Sequence, residues 1–106
     1  MEILRYRAFA TEQGGGNPAG VVLDAAGVPP AQMRQVAAEV GYSETAFVTP
    51  IHEHEYQVRY FSPEAEVDFC GHATVATAVA IAETTSSAAN LLMRTNAGPI
   101  EVSIRD

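Results

Sequence analysis

Asp68-Phe69-Cys70-Gly71-His72-Ala73-Thr74 runs directly into Val75-Ala76-Thr77-Ala78-Val79-Ala80-Ile81-Ala82, and the reading of this stretch decides the fold. A glycine turn opens a helix over residues 72–83 that is apolar nearly all round. A helix with no solvent face is normally buried, so the rest of the chain has to wrap it. Burial also leaves the backbone N–H groups of its first turn in need of an acceptor. The macrodipole adds partial positive charge at that end, which suits an anionic ligand. His72 sits in the first turn, beside wherever such a ligand would lie.

Working outward, the flanking segments supply strands. Leu4, Tyr6 and Ala8 alternate with Arg5 and Arg7, the period of a half-buried strand. A loop follows at Gly14-Gly15-Gly16-Asn17-Pro18, and Val21-Val22-Leu23 resumes an extended run. Pro29-Pro30 starts a second helix with Met33, Val36, Ala37 and Val40 on one face, and Gly41 ends it. Residues 45–49 read as a strand and residues 51–55 as a polar connection. Tyr56, Val58 and Tyr60 alternate with Gln57 and Arg59 in a strand that stops at Ser62-Pro63. Beyond the central helix, residues 84–89 form a small polar linker. Residues 91–94 and 100–105 then make a hairpin around Asn96-Ala97-Gly98. The order β-β-α-β-β-α-β-β predicts an α+β fold: a curled mixed sheet of about six strands wrapped around a buried central helix. The chain reads as one domain over residues 1–106.

Composition removes several function classes. The formal charge of −7 argues against nucleic-acid binding, which calls for a basic face. All six basic residues are arginine. Without lysine there is no Schiff-base chemistry and no lysine-dependent phosphate loop. The single cysteine makes no internal disulfide. The start of the sequence lacks the features of a signal peptide, and the longest apolar run is too short to span a bilayer. The expectation is a cytoplasmic, soluble protein without a membrane partner.

The stretches Arg7-Ala8-Phe9, Gly16-Asn17-Pro18-Ala19-Gly20-Val21, Ser43-Glu44-Thr45-Ala46-Phe47-Val48, Arg59-Tyr60-Phe61-Ser62-Pro63 and Asp68-Phe69-Cys70-Gly71-His72-Ala73-Thr74 together resemble the PhzF-like (phenazine-biosynthesis) isomerase family. Their order and spacing fit and cover most of the chain. The joint occurrence of Ser-Glu-Thr-Ala-Phe and Cys-Gly-His-Ala-Thr is the specific part. The resemblance implies a diaminopimelate-epimerase-like fold, in which a curled sheet around a central helix occurs twice and the active site lies in the cleft between the halves. This chain matches the N-terminal half only. The second half normally supplies a partner acid and the opposing wall of the cleft.

Glu44 is the expected general acid/base. By itself it reads as a solvated carboxylate at a strand start; the resemblance assigns it the proton transfer. An ordinary glutamate titrates near pKa 4.3 and donates poorly at neutral pH. Cover from the following Phe47 and from substrate is expected to make Glu44 a better donor. His72 reads either as a helix-start histidine satisfied by a backbone carbonyl or as a group that orients a substrate carboxylate and assists the proton transfer. The resemblance favours the second. The backbone N–H groups of Gly71, His72 and Ala73 are candidates to hold that carboxylate. Asp68 is a candidate to orient His72 or cap the helix, with a surface carboxylate as the other reading. Asn17 is a secondary substrate-binding candidate on a loop that borders the cleft in the family.

Cys70 occupies about the place where related racemases of the same fold carry a cysteine base. Their cysteine is followed by Gly-Asn rather than Gly-His, so Cys70 reads here as a small thiol packed behind the turn. His52-Glu53-His54-Glu55 has the spacing of a ligand pair on a strand, but no third ligand is near in sequence, and a solvated charged turn accounts for it. No metal and no cofactor are expected.

The function expected is therefore cofactor-independent isomerisation or epimerisation of a small carboxylated metabolite. It would need a second half, from a homo-oligomer or from a complementary C-terminal half-domain chain. Two copies about a two-fold axis would face Glu44 of one toward the helix start of the other. The alternative is a non-catalytic binding or assembly module, or a truncated remnant that keeps the fold without turnover.

Overall fold

The computed structural model describes residues 3–8, 17–85 and 90–103, and for residues 6–8, 17, 18 and 85 it gives the backbone alone. The elements are β1 (Leu4–Ala8), β2 (Asn17–Val22), α1 (Pro30–Val40), β3 (Glu44–His52), β4 (Glu55–Phe61), β5 (Glu66–Val67), α2 (Gly71–Thr85), β6 (Asn90–Thr95) and β7 (Gly98–Ser103). One mixed sheet runs β1-β2-β3-β4-β6-β7, with β5 beside the end of β4. The β2/β3 and β4/β6 pairs are parallel and the others antiparallel. The expected α+β class and curled sheet are present.

Two apolar clusters fill the two faces of this sheet. Strand alternation sends Ala46 and Val48 of β3, and Val58 and Tyr60 of β4, to the side of α2. The intervening Phe47 and Phe61 join Met33 and Ala37 of α1 on the other side, and their rings meet edge to face at 5.6 Å. Strand β3 is therefore covered on both faces, which is why its run from Thr45 to Val48 is continuously buried. Gly20 lies opposite Thr45 in the parallel register. A Cβ at Gly20 would stand 3.2 Å from both Thr45 Cγ2 and Oγ1, so a larger residue there would make Thr45 give way by a few tenths of an ångström.

Helix α1 forms as its sequence suggests. Pro30 stands in the first turn and needs no N–H partner. Gly41 closes the helix in the left-handed region at φ 78°, its N–H donating to Ala37 O at 3.0 Å. Helix α2 lies against β1, β2 and β3. Ala73, Ala76, Thr77 and Ala80 form its buried side, small enough for the sheet to approach. The buried threonines of α2 satisfy their hydroxyls on the preceding turn, Thr77 Oγ1 donating to Ala73 O at 2.8 Å and Thr74 Oγ1 to Cys70 O at 2.8 Å.

Five expectations need correction. The first concerns α2, which does have an open side, since Val75 and Val79 are each 42% exposed. They stand one turn apart over a groove shared with Val102 and Ser103 of β7, which, among the described residues, ends the sheet path opposite β1. Hydropathy alone does not tell which apolar side of such a helix the sheet covers. A seventh strand, β5, is two residues long, too short to carry a period. Pairing with Tyr60 and Phe61 creates it, and a fork from Arg59 to Glu66 holds it, Nε to Oε2 at 2.8 Å and Nη2 to Oε1 at 2.7 Å. The connection between β3 and β4 narrows to Glu53-His54, with His54 at φ 61°, because Ile51 and His52 continue β3. Asn17 and Pro18 belong to β2 rather than to a loop, and Thr84 and Thr85 belong to α2 rather than to a linker. Residues 14–16, 86–89 and 104–106 lie outside the described residues. No helix among the described residues is long and apolar enough to cross a membrane.

Candidate functional site

The site grows from the start of α2. Cys70 stands at the N-cap position. Its carbonyl accepts the Thr74 N–H at 3.0 Å and the Thr74 hydroxyl at 2.8 Å. Its sulfur faces the backbone N–H groups of Ala73 and His72, which draw the thiol pKa down, at the place normally taken by a serine or aspartate oxygen. Because the Thr74 proton is committed to the Cys70 carbonyl, the 2.6 Å bond to Tyr60 Oη has Tyr60 donating to Thr74 Oγ1. A fully buried phenol thus stands behind the helix start. Burial pushes the Tyr60 phenol up. Phe69 meets the Tyr60 ring at 5.8 Å.

Glu44 arrives from the other side. As the first residue of β3 it lies beside Ala19 of β2 and is half-buried. Its carboxylate, the Cys70 sulfur and a His72 ring nitrogen all lie within 4.8 Å of one another. The sulfur is 3.3 Å from His72 Nδ1 and 3.7 Å from Nε2. Burial pushes the Cys70 thiol up, the N–H of Ala73 opposes this, and the charge and hydrogen bond of Glu44 push it up further. These influences together favour the protonated thiol.

The two residues expected to carry chemistry, Glu44 and His72, are therefore brought together within one chain. A partner copy is not needed to bring a helix start to Glu44. Gly71 is exposed, while Ala73 is fully buried. Among the described residues Asp68 is exposed and makes no bond to His72 or to the helix start. The Asn17 side chain lies outside the described ones. Phe47 is three residues from Glu44 on a strand, so it points to the α1 side and gives no cover to the carboxylate. His52 and His54 flank the β3–β4 turn, with His54 Nε2 3.4 Å from Glu53. Sequence reasoning missed the linked set Cys70, Thr74 and Tyr60. The available signal was the place of Cys70, one residue before a helix-opening glycine.

The family model described as phenazine biosynthesis-like protein, PhzC-PhzF, matches residues 6–106. The Bacillus subtilis protein YfhB, called an uncharacterized isomerase, is 39% identical over 109 residues, covering 99% of this chain and 37% of YfhB. A crystal structure of a Bacillus anthracis phenazine biosynthesis protein of the PhzF family superposes with a TM-score of 0.86 at 38% identity, covering 99% of this chain and 37% of that one. A predicted epimerase of Pseudomonas aeruginosa, PA4716, reaches a TM-score of 0.88 at 21% identity and 38% of its length, which speaks to the fold alone. This chain spans little more than a third of the length of these relatives.

Proposed function

The chain belongs to the phenazine biosynthesis-like PhzC-PhzF family, and from that premise we propose that it carries the proton-transferring half of an isomerase for a small carboxylated metabolite. The observation that carries this reading is the meeting of Glu44, Cys70 and His72 at the start of α2. Glu44 removes a proton from a carbon of the substrate and returns it to another carbon or to the opposite face. The electron pair of the broken C–H bond passes into the conjugated carboxylate. The Gly71 N–H and the helix start hold that carboxylate where negative charge grows. His72 orients the substrate and assists the transfer. No cofactor enters the scheme, and a chain without lysine cannot form a Schiff base.

The relatives are far longer than this chain, so the opposing cleft wall is assigned to further polypeptide, either a second copy or a complementary C-terminal half. The test uses the native chain and Glu44→Gln, each alone and mixed with the unmatched C-terminal part of YfhB. Solvent deuterium incorporation into a panel of small carboxylates with acidic C–H bonds is followed by NMR. Glu44→Gln is expected to lower exchange by roughly 10²–10⁴-fold, the usual contribution of an acid/base group. Native and variant chains equally inert in every mixture would favour the second reading, a non-catalytic assembly module. The exposed Val75 and Val79 stripe is the observation on that side.

A further inference from the structure

Proton transfer by Glu44 and His72 does not require a sulfur between them, yet Cys70 stands there. Carboxylate oxygen, thiol sulfur and imidazole nitrogen converge within 4.8 Å, the one such trio among the described residues. We propose that Glu44, Cys70 and His72 form an open three-ligand site for a thiophilic divalent cation of the Zn²⁺ class.

Spacing supports this. A tetrahedral ion with bonds of about 2.3 Å to sulfur and about 2.1 Å to nitrogen sets those two atoms about 3.6 Å apart. The Cys70 sulfur lies 3.3 Å from His72 Nδ1 and 3.7 Å from Nε2, close to that spacing, and rotation of the ring about its Cβ–Cγ bond aims one lone pair at a shared ion. Glu44 is half-buried at a strand start, and its carboxylate has the freedom to close the third bond. Charge agrees as well. One thiolate and one carboxylate neutralise a divalent ion, and the imidazole adds a neutral lone pair. On binding, the S–H bond breaks, its proton leaves to solvent and a sulfur–metal bond forms, with no change of oxidation state.

Donor chemistry selects the class of ion. One sulfur and one nitrogen out of three ligands disfavour Mg²⁺ and Ca²⁺, which take oxygen shells. The N–H groups of Ala73 and His72 favour the thiolate form of the sulfur, as outer-shell partners of ligands do. Three protein ligands leave a fourth position for water or an anion. With the ion in place Glu44 is no longer a free base, so the loaded form is the inactive one if the isomerase reading holds. The site itself does not depend on that reading, and its test needs no turnover.

The probe is Co²⁺, titrated into the reduced native chain at neutral pH. A sulfur-to-cobalt charge-transfer absorption is expected, saturating at one equivalent and erased by Zn²⁺. Cys70→Ser removes the band. Glu44→Gln and His72→Ala each weaken apparent affinity at least about tenfold, while His54→Ala, at the β3–β4 turn, leaves it unchanged. Cys70→Ser keeps a hydroxyl at the N-cap position and is checked by circular dichroism. Should it fail to fold, the Glu44 and His72 variants decide, since both side chains are half-exposed. No charge-transfer band in the native chain overturns the proposal, and so does a band whose affinity is indifferent to both Glu44 and His72.

Discussion

The two helices of this fold begin in opposite ways. Helix α1 starts at Pro29-Pro30 on the surface with no side-chain cap, and the Pro29 carbonyl takes the N–H groups of Gln32 and Met33, each at 3.0 Å. Helix α2 opens at an exposed Gly71 but sets the residue before it inside, where the Cys70 carbonyl, the Thr74 hydroxyl and the Tyr60 phenol form one chain of bonds. A helix that covers a sheet needs an apolar stripe and a stop. A helix that a sheet covers must have its start satisfied by polar side chains, and those side chains are the raw material of a site. In this chain the site follows from burial of a helix terminus.

Matched substitutions test that contrast first on packing. Met93 is fully buried on the α2 side and Met33 is 4% exposed on the α1 side. Met93→Ala is expected to cost about 3–5 kcal/mol and Met33→Ala about 2–3 kcal/mol, read by urea unfolding. The surface helix can settle into its cavity, whereas the enclosed side cannot. Equal losses would erase the distinction.

Deleting the phenol hydroxyl comes next. Tyr60→Phe is expected to cost about 1–2 kcal/mol, because Thr74 loses a buried donor. It also changes the pH profile. The Tyr60 phenol is held above its ordinary 10.0 and the Cys70 thiol above its ordinary 9.0. Stability from keeping each protonated is fully present below those values and falls as pH rises through the native ones. The native chain should therefore weaken in alkali, with a shallower decline in Tyr60→Phe. Superimposable alkaline limbs in thermal melts would remove Tyr60 from the account.

The partly exposed fork on the other side of β4 should respond in acid instead. Arg59 holds the Glu66 carboxyl below its ordinary 4.5. That stability is present above the ordinary value and lost as pH falls through the native one. Glu66→Gln is expected to cost about 0.5–1 kcal/mol at neutral pH and to flatten the acid limb of a melting profile. Smallest of all is Val79→Thr on the open side of α2, expected to change unfolding free energy by less than about 0.5 kcal/mol. A loss several times larger would mean that the stripe is packed against something in solution.

Local signals made much of the fold legible. Pro29-Pro30, the Met33-Val36-Ala37 stripe and Gly41 specify α1 unaided, and Ile100 and Val102 alternating with Glu101 and Ser103 specify β7. What escaped depended on pairing. Strand β5 exists only because β4 offers it an edge, and the exposure of Val75 and Val79 depends on where the sheet path ends. The site divides the same way. A buried helix start with His72 beside it follows from the sequence pattern. The approach of Glu44 depends on the parallel register of β2 and β3, and only family resemblance singled that residue out. Cys70 read as packing because a cysteine at the N-cap position gives no strong propensity signal.

The last strand of the sheet has a consequence for how the protein behaves in concentrated solution. Among the described residues β7 pairs only with β6, so its far side offers a row of backbone donors and acceptors to any passing strand. Pro99 supplies no N–H to such a row, and the exposed Glu101 sets a negative charge along it. In a chain of formal charge −7 these are the devices that blunt edge-to-edge polymerisation. They protect the sheet edge with two surface side chains that neither the core nor the site requires, and salt, by screening Glu101, weakens that protection.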